Sequence, residues 1–102
     1  MDQGCWLYIL RCVDGSFYVG VTRKDVGTRV SEHNLALSGK AYTARRRPVT
    51  LAHAVHFERV LDAIAAERQL KGWRREKKEA YIRGEFELLS QLSSRRVRMQ
   101  AV

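Results

Sequence analysis

Residues 5–22 read CWLYILRCVDGSFYVGVT. Two runs rich in β-branched and aromatic residues flank an Asp-Gly turn signal, which predicts a β-hairpin with arms over 5–12 and 17–22. Each arm carries one tyrosine inside its apolar run, Tyr8 and Tyr18, and Gly20 interrupts the second arm. Glycine weakens a strand interior and often marks a place where another group approaches the backbone. The turn decides the register. A two-residue Asp14-Gly15 loop puts Tyr8 and Tyr18 on opposite faces. A three-residue Val13-Asp14-Gly15 loop, with Gly15 left-handed, sets Tyr8 across from Gly20 and Tyr18 across from Leu10, all on one face. The residues permit both registers, and joint chemistry by the two tyrosines requires the second. A single strand tyrosine is ordinarily half-buried packing.

The 102 residues make one domain with one core, and 45% hydrophobic residues suffice to fill it. A net charge of +8 favours a polyanionic partner, namely DNA, RNA or an anionic surface, although a solvated basic face explains charge alone equally well. No apolar run approaches the ~20 residues of a membrane helix. The first residues lack the ordered basic, apolar and small-residue regions of a secretory signal. A cytoplasmic protein without membrane contact is therefore expected. Cys5 and Cys12, seven residues apart on one strand, lie roughly 23 Å from each other. No disulfide spans that distance, so both read as reduced packing residues.

Beyond the hairpin the period changes. Over 25–38, Val26, Val30, His33 and Leu37 recur at helical spacing, with Arg29 bordering the stripe, and Gly39 ends the helix. A loop over 39–48 follows, carrying Lys40, Arg45, Arg46 and Arg47 around Tyr42. Residues 49–57, VTLAHAVHF, read as a third strand, whose alternation puts Leu51, His53, Val55 and Phe57 on one face. His53 and His56 then point to opposite faces, which rules out a helical two-histidine zinc site and leaves both as structural residues.

A helix over 61–73 comes next. At ~100° per residue, Glu67 lies at the centre of the stripe made by Val60, Ala63, Ile64 and Leu70. A carboxylate facing a core is costly unless it is paired or holds a metal; a structural ion pair and a functional site fit it about evenly. Residues 73–78, WRREKK, open a further helix with four cations, Arg74, Arg75, Lys77 and Lys78. Cations oppose the dipole at a helix start, which tilts the reading from a solvated face toward phosphate binding. Leu88, Leu89 and Leu92 form a short apolar set before the basic tail SSRRVRMQAV, which reads as partly helical or mobile. There is no internal repeat.

The order is strand, strand, helix, strand, helix, helix. Two strand tyrosines, a stripe arginine with a histidine one turn on, and a stripe glutamate fit phosphodiester chemistry. A tyrosine serves as general base where a nearby cation favours its anion. An arginine stabilises charge on a phosphoryl oxygen. A lone carboxylate with phosphate oxygens and waters suits Mg²⁺.

With these residues the chain resembles the GIY-YIG nuclease superfamily, most closely its small single-domain bacterial members, and is similar to the N-terminal nuclease module of UvrC. The first motif stands here as Trp6-Leu7-Tyr8, retaining only the tyrosine, and the second as Tyr18-Val19-Gly20. The family's helical arginine falls on Arg29, followed by Glu32-His33-Asn34, and its glutamate falls on Glu67, with Lys71 one turn later. The likeness covers roughly 5–84. It implies an α+β fold: a three-stranded antiparallel sheet, β-hairpin plus one strand, flanked by helices in the order ββαβαα. It also implies a nuclease domain over 1–85 followed by a basic extension over 86–102. The activity it implies is metal-dependent hydrolysis of DNA, at structured or damaged sites in repair or recombination, with RNA left open as substrate. In that reading Tyr8 activates water, Arg29 and Tyr18 bind the phosphate, His33 accepts a proton or orients, and Glu67 holds Mg²⁺ or Mn²⁺. Lys40, Arg45, Arg46, Arg47, Lys71, Arg74, Arg75, Lys77 and Lys78 bind nucleic acid. Two other readings use the same residues: a binding module of this fold with weak or no cleavage, and an adaptor in which Arg29 and Glu67 form a buried ion pair. A protein partner or a homodimer is compatible with all three.

Overall fold

The computed structural model describes residues 4–37 and 41–92. Its hairpin pairs β1 (Cys5–Arg11) with β2 (Phe17–Thr22), placing Tyr8 opposite Gly20 and Leu10 opposite Tyr18. The loop has three residues. The Cys12 N–H donates to Ser16 O at 2.8 Å, the Gly15 N–H donates to Cys12 O at 2.9 Å, and Gly15 sits at φ +84°. Asp14 fixes the turn by accepting from the Ser16 N–H at 3.0 Å and the Ser16 hydroxyl at 2.6 Å. The two-residue alternative is thereby excluded, and both tyrosines share a face.

The third strand, β3 (Thr50–Phe57), pairs antiparallel with the other edge of β1, giving the order β2-β1-β3. β1 is central, so Cys5, Leu7, Tyr8, Ile9 and Leu10 are all buried. A strand covered on both faces reads as a continuous apolar run rather than an alternating one. Cys5 and Cys12 are both buried. One expectation fails in β3. Ile9 pairs with His53 while Leu10 pairs with Leu51, so Ala52 is a bulge. A bulge inserts one residue and reverses the alternation. Leu51 therefore shares the face of Leu10 and Tyr8, not that of His53, Val55 and Phe57.

Helix α1 (Val26–Asn34) starts at Asp25, whose carboxylate accepts the Thr28 N–H at 3.1 Å. It ends four residues earlier than the stripe predicts. Ala36 takes a left-handed φ of 60°, its N–H donates to His33 O at 3.1 Å, and the Leu37 N–H donates to Glu32 O at 2.8 Å. These two bonds close the helix as a Schellman turn without a glycine. Leu37 consequently lies outside the helix and is 70% exposed rather than buried.

The expected loop over 39–48 contains a short helix, α2 (Ala41–Ala44). Lys40 lies outside the described residues. Helix α3 (Val60–Lys71) follows β3 and contacts all three strands, with Ala63 and Leu70 buried. The core on the tyrosine face joins Tyr8, Leu10, Cys12 and Val49, against which Tyr18, Val26, Val30 and Ala54 pack. Asn34 ties α1 to the start of β3, donating to Val49 O at 3.0 Å and accepting the Val49 N–H at 2.7 Å.

These elements form one compact unit ending at Lys71, and a second begins at Gly72. The second holds α4 (Arg75–Ile82), with Ala80 buried, and residues 86–92 are again helical. Inside it Trp73 meets the ring of Tyr81 edge-on at 6.0 Å. The basic tail over 93–102 lies outside the described residues. Among the described residues no helix is long and apolar enough to cross a membrane.

Candidate active site

Tyr8 is the centre of the tyrosine face. It is 1% exposed, and its hydroxyl lies directly over Gly20. A Cβ at that glycine would fall 2.5 Å from Tyr8 Oη and 2.6 Å from Cζ. The close approach implied by a glycine inside the second arm is the seat of this ring.

Two α1 side chains reach the same hydroxyl. Arg29 Nε donates to Tyr8 Oη at 3.3 Å, and His33 Nε2 lies 2.9 Å from it. Arg29 and His33 are one helical turn apart, so both project from the face of α1 that packs on the sheet. Arg29 is oriented from its other end by Glu32, whose carboxylate accepts from Nη1 at 2.9 Å and also from Lys24 Nζ at 2.8 Å. His33 is fully buried and places Nδ1 2.9 Å from Thr43 Oγ1, itself fully buried on α2.

Tyr18 completes the face. Its ring centroid lies 6.3 Å from that of Tyr8, 5.2 Å from His33 and 6.1 Å from Tyr42. Among the described residues its hydroxyl has no hydrogen-bonding partner, in contrast to that of Tyr8.

Glu67 points from α3 with its side chain 21% exposed and one ion pair, 3.7 Å to Lys71 Nζ. Burial is the first cause that pushes the Tyr8 and Tyr18 phenols up, and the Glu67 charge adds a minor push in the same direction. Glu67 is not paired with Arg29, which excludes the buried Arg29–Glu67 bridge of the adaptor reading. Among the described residues no three acidic, histidine or cysteine side chains cluster as metal ligands. A lone, partly exposed carboxylate with one loose partner still fits Mg²⁺, which keeps several waters and binds through one or two carboxylates plus phosphate oxygens.

Burial dominates the electrostatics of the tyrosines. Desolvation pushes Tyr8 above its usual value and outweighs the hydrogen bond and charge of Arg29, which pull it down. Tyr18 is raised for the same first reason. Tyr8 is thus a neutral phenol near pH 7, and forming its anion needs a proton acceptor in contact. The ring nitrogen in hydrogen-bond contact with its hydroxyl is His33 Nε2, at 2.9 Å.

The predicted phosphate-binding cations divide. Arg46 Nε donates to Asp14 Oδ2 at 3.0 Å and Nη1 to Tyr42 O at 3.0 Å, with the guanidinium 3.9 Å from the Tyr42 ring centroid. Arg47 donates to Ala44 O at 2.9 Å and to Asn34 O at 3.1 Å. Both clamp α2 in place. Arg45 is exposed, and Lys71 leans toward Glu67. Arg74, Arg75, Lys77 and Lys78 belong to the second unit, where Arg75 pairs with Glu79 at 3.4 Å and Lys77 Nζ sits 4.4 Å from the Trp73 ring. Burial pulls Lys78 below its usual value.

Sequence reasoning missed Thr43, Glu32 and Lys24. Glu32 carries a legible signal, an acid three residues after Arg29 on one helix. Thr43 carries none, because a buried threonine in a basic loop has no periodic pattern to betray it.

The sequence profile of the GIY-YIG catalytic domain matches residues 4–80. The chain belongs to the GIY-YIG family. Its relatives include a UPF0213 protein of Bacillus velezensis, 44% identical over 77 residues and covering 76% of each chain. A UPF0213 protein of Halobacterium salinarum is 43% identical over 74 residues, 72% of this chain and 94% of the relative. Among solved structures, that of an E. faecalis protein has a TM-score of 0.56 at 35% identity, covering 86% of this chain and 93% of the other. That of a UPF0213 protein from Bacillus halodurans has a TM-score of 0.51 at 35% identity, covering 78% and 82%. Membership in the GIY-YIG family implies a nuclease superfamily and a nucleic-acid substrate. GIY-YIG nucleases generally use divalent metals. In this member Tyr8 and Gly20, the last residues of the two signature tripeptides, pack directly against each other.

Proposed function

We propose that the protein is a divalent-metal-dependent endonuclease that hydrolyses DNA phosphodiester bonds, at structured or damaged DNA in repair or recombination. The observation that carries the reading is the Tyr8 hydroxyl, held between Arg29 and His33 over Gly20 and within the field of Glu67. In this reading Tyr8 gives its phenolic proton to His33 and takes one from the attacking water. Arg29, kept charged and aimed by Glu32, stabilises the charge that builds on the phosphoryl oxygens. The free hydroxyl of Tyr18 donates to a phosphate oxygen. Glu67 would hold Mg²⁺ or Mn²⁺, which when bound supplies charge neutralisation at the phosphate. Arg45, Lys71, Arg74, Arg75, Lys77 and Lys78 supply backbone contacts to the nucleic acid, with Lys40, Arg46 and Arg47 in the same basic set. The nuclease domain extends over 1–85, and 86–102 form a basic extension.

The test is cleavage of branched, nicked and single-stranded DNA by purified protein with Mg²⁺, Mn²⁺ or EDTA. Cleavage in the presence of metal, and its loss in Glu67→Ala with DNA binding retained, are expected. Cleavage that persists unchanged in Glu67→Ala overturns the assignment, and binding without any product turns it into the binding module.

A further inference from the structure

Thr43 is a fully buried hydroxyl on a short helix, and it touches a fully buried imidazole at 2.9 Å. A buried polar side chain left without a partner costs ~1–3 kcal/mol, so the phenolic proton of the buried Tyr8 needs an acceptor. The chain starts at Tyr8. Arg29 can only donate, so its bond uses a lone pair of Tyr8 Oη and leaves the phenolic proton unplaced. His33 Nε2, at 2.9 Å, is the one acceptor in contact with that proton among the described residues. His33 Nε2 is therefore unprotonated in the neutral ring, and the ring proton sits on Nδ1. Nδ1–H in turn faces Thr43 Oγ1, which accepts it.

We propose that Thr43 is a positioning residue that holds His33 in the Nδ1–H form, with Nε2 open to the phenolic proton of Tyr8. The proposal rests on the catalytic reading above for its consequence, but the ring state stands apart from it. When the proton moves from Tyr8 Oη to His33 Nε2, it leaves a tyrosinate and an imidazolium whose Nδ1–H stays on Thr43. The threonine neither gains nor loses a proton. Its place is set from outside α2. The Val13 N–H donates to Arg46 O at 3.0 Å, Arg46 Nε reaches Asp14 at 3.0 Å, and the Arg46 N–H donates to Thr43 O at 3.0 Å. The hairpin turn thus holds the segment that holds His33.

The experiment reads the ring nitrogens of His33 by long-range proton–nitrogen NMR in wild type, Thr43→Val and Thr43→Ser, beside steady-state cleavage. Wild type and Thr43→Ser should show the Nδ1–H form. Thr43→Val keeps the shape, removes the acceptor, and should shift the ring toward the Nε2–H form. Its kcat should fall about 10- to 100-fold, the usual cost of losing a histidine's orienting partner at metal centres, with KM unchanged and Thr43→Ser restoring the rate. An Nε2–H ring in the wild type overturns the proposal without any variant having to fold. So does a Thr43→Val protein with both ring state and kcat unchanged. If the wild type shows the Nδ1–H form but cleaves no DNA, the catalytic reading fails and the positioning of His33 stands.

Discussion

In the Tyr8 pocket one guanidinium, that of Arg29, is held by a tyrosine 21 residues away in sequence and by a glutamate three residues away. At α4 two ion pairs are local: Arg75 and Arg83 meet Glu79 at i,i+4 spacing, and the two arginine side chains are more than half exposed. Tyr8, Arg29 and His33 are largely buried, and each has a defined partner. The α4 groups sit where solvent screens them, and exposed pairs of that kind contribute ~0.2–1 kcal/mol at most. Density of charge is therefore a poor guide to chemistry in this chain. WRREKK is the most conspicuous basic run, yet the site is built around a single arginine that breaks no pattern.

That contrast predicts unequal responses to mutation. Arg29→Lys removes the fork that serves Tyr8 and Glu32 together, and lysine cannot replace it. Cleavage should fall ~10²–10³-fold, the range for removing one transition-state donor, as measured by single-turnover rates. A rate within a few fold of wild type would place Arg29 with the α4 cations rather than in the chemistry.

Gly20→Ala puts a methyl 2.5 Å from Tyr8 Oη. The ring must shift off Arg29 and His33, so cleavage should fall ~10-fold or more. Stability should fall by ~1–3 kcal/mol, as for overpacking elsewhere, readable by urea unfolding. An unchanged rate would show that the position of Tyr8 over the sheet is irrelevant to function.

The burial of the tyrosines also sets a pH response. Tyr8 and Tyr18 are raised above their usual 10.0 in the fold, chiefly by desolvation. The native state then holds these protons more tightly than the unfolded chain does. Their contribution is fully present below pH 10 and is lost as pH climbs through the folded values. Melting temperature should drop steeply above about pH 10, and Tyr8→Phe should flatten part of that drop.

The smallest effect belongs to α4. Arg74→Ala with Arg75→Ala should change stability by less than ~0.5 kcal/mol. It should weaken DNA binding and reduce the slope of log affinity against log salt by about 2, near 0.9 for each phosphate no longer neutralised. Binding with an unchanged salt slope would remove these residues from the nucleic-acid interface.

Much of the fold was legible because it rests on local rules. The hairpin around Asp14-Gly15 and the stripe through Glu67 both follow from spacing and residue type, whereas the residues permit a two- or a three-residue turn and the Cys12–Ser16 and Gly15–Cys12 bonds select the latter. The failures share a different cause. The bulge at Ala52, the left-handed Ala36 and the helix at 41–44 are choices made by packing, with no residue that demands them. The candidate site was legible as a set of residues, and Tyr8, Arg29 and His33 meet at one hydroxyl with the Tyr18 ring beside them. Thr43 became visible only once the chain had brought residues ten apart within one hydrogen bond.

The most direct measurement is the single-turnover cleavage rate of Tyr8→Phe against wild type, with DNA affinity measured in parallel. If the Tyr8 hydroxyl passes its proton to His33 and receives one from water, phenylalanine should lower the rate ~10²–10⁴-fold, the usual contribution of a general base, and leave affinity within a few fold. A Tyr8→Phe protein that cleaves at the wild-type rate would contradict the assignment of this pocket as the place where the phosphodiester bond is broken.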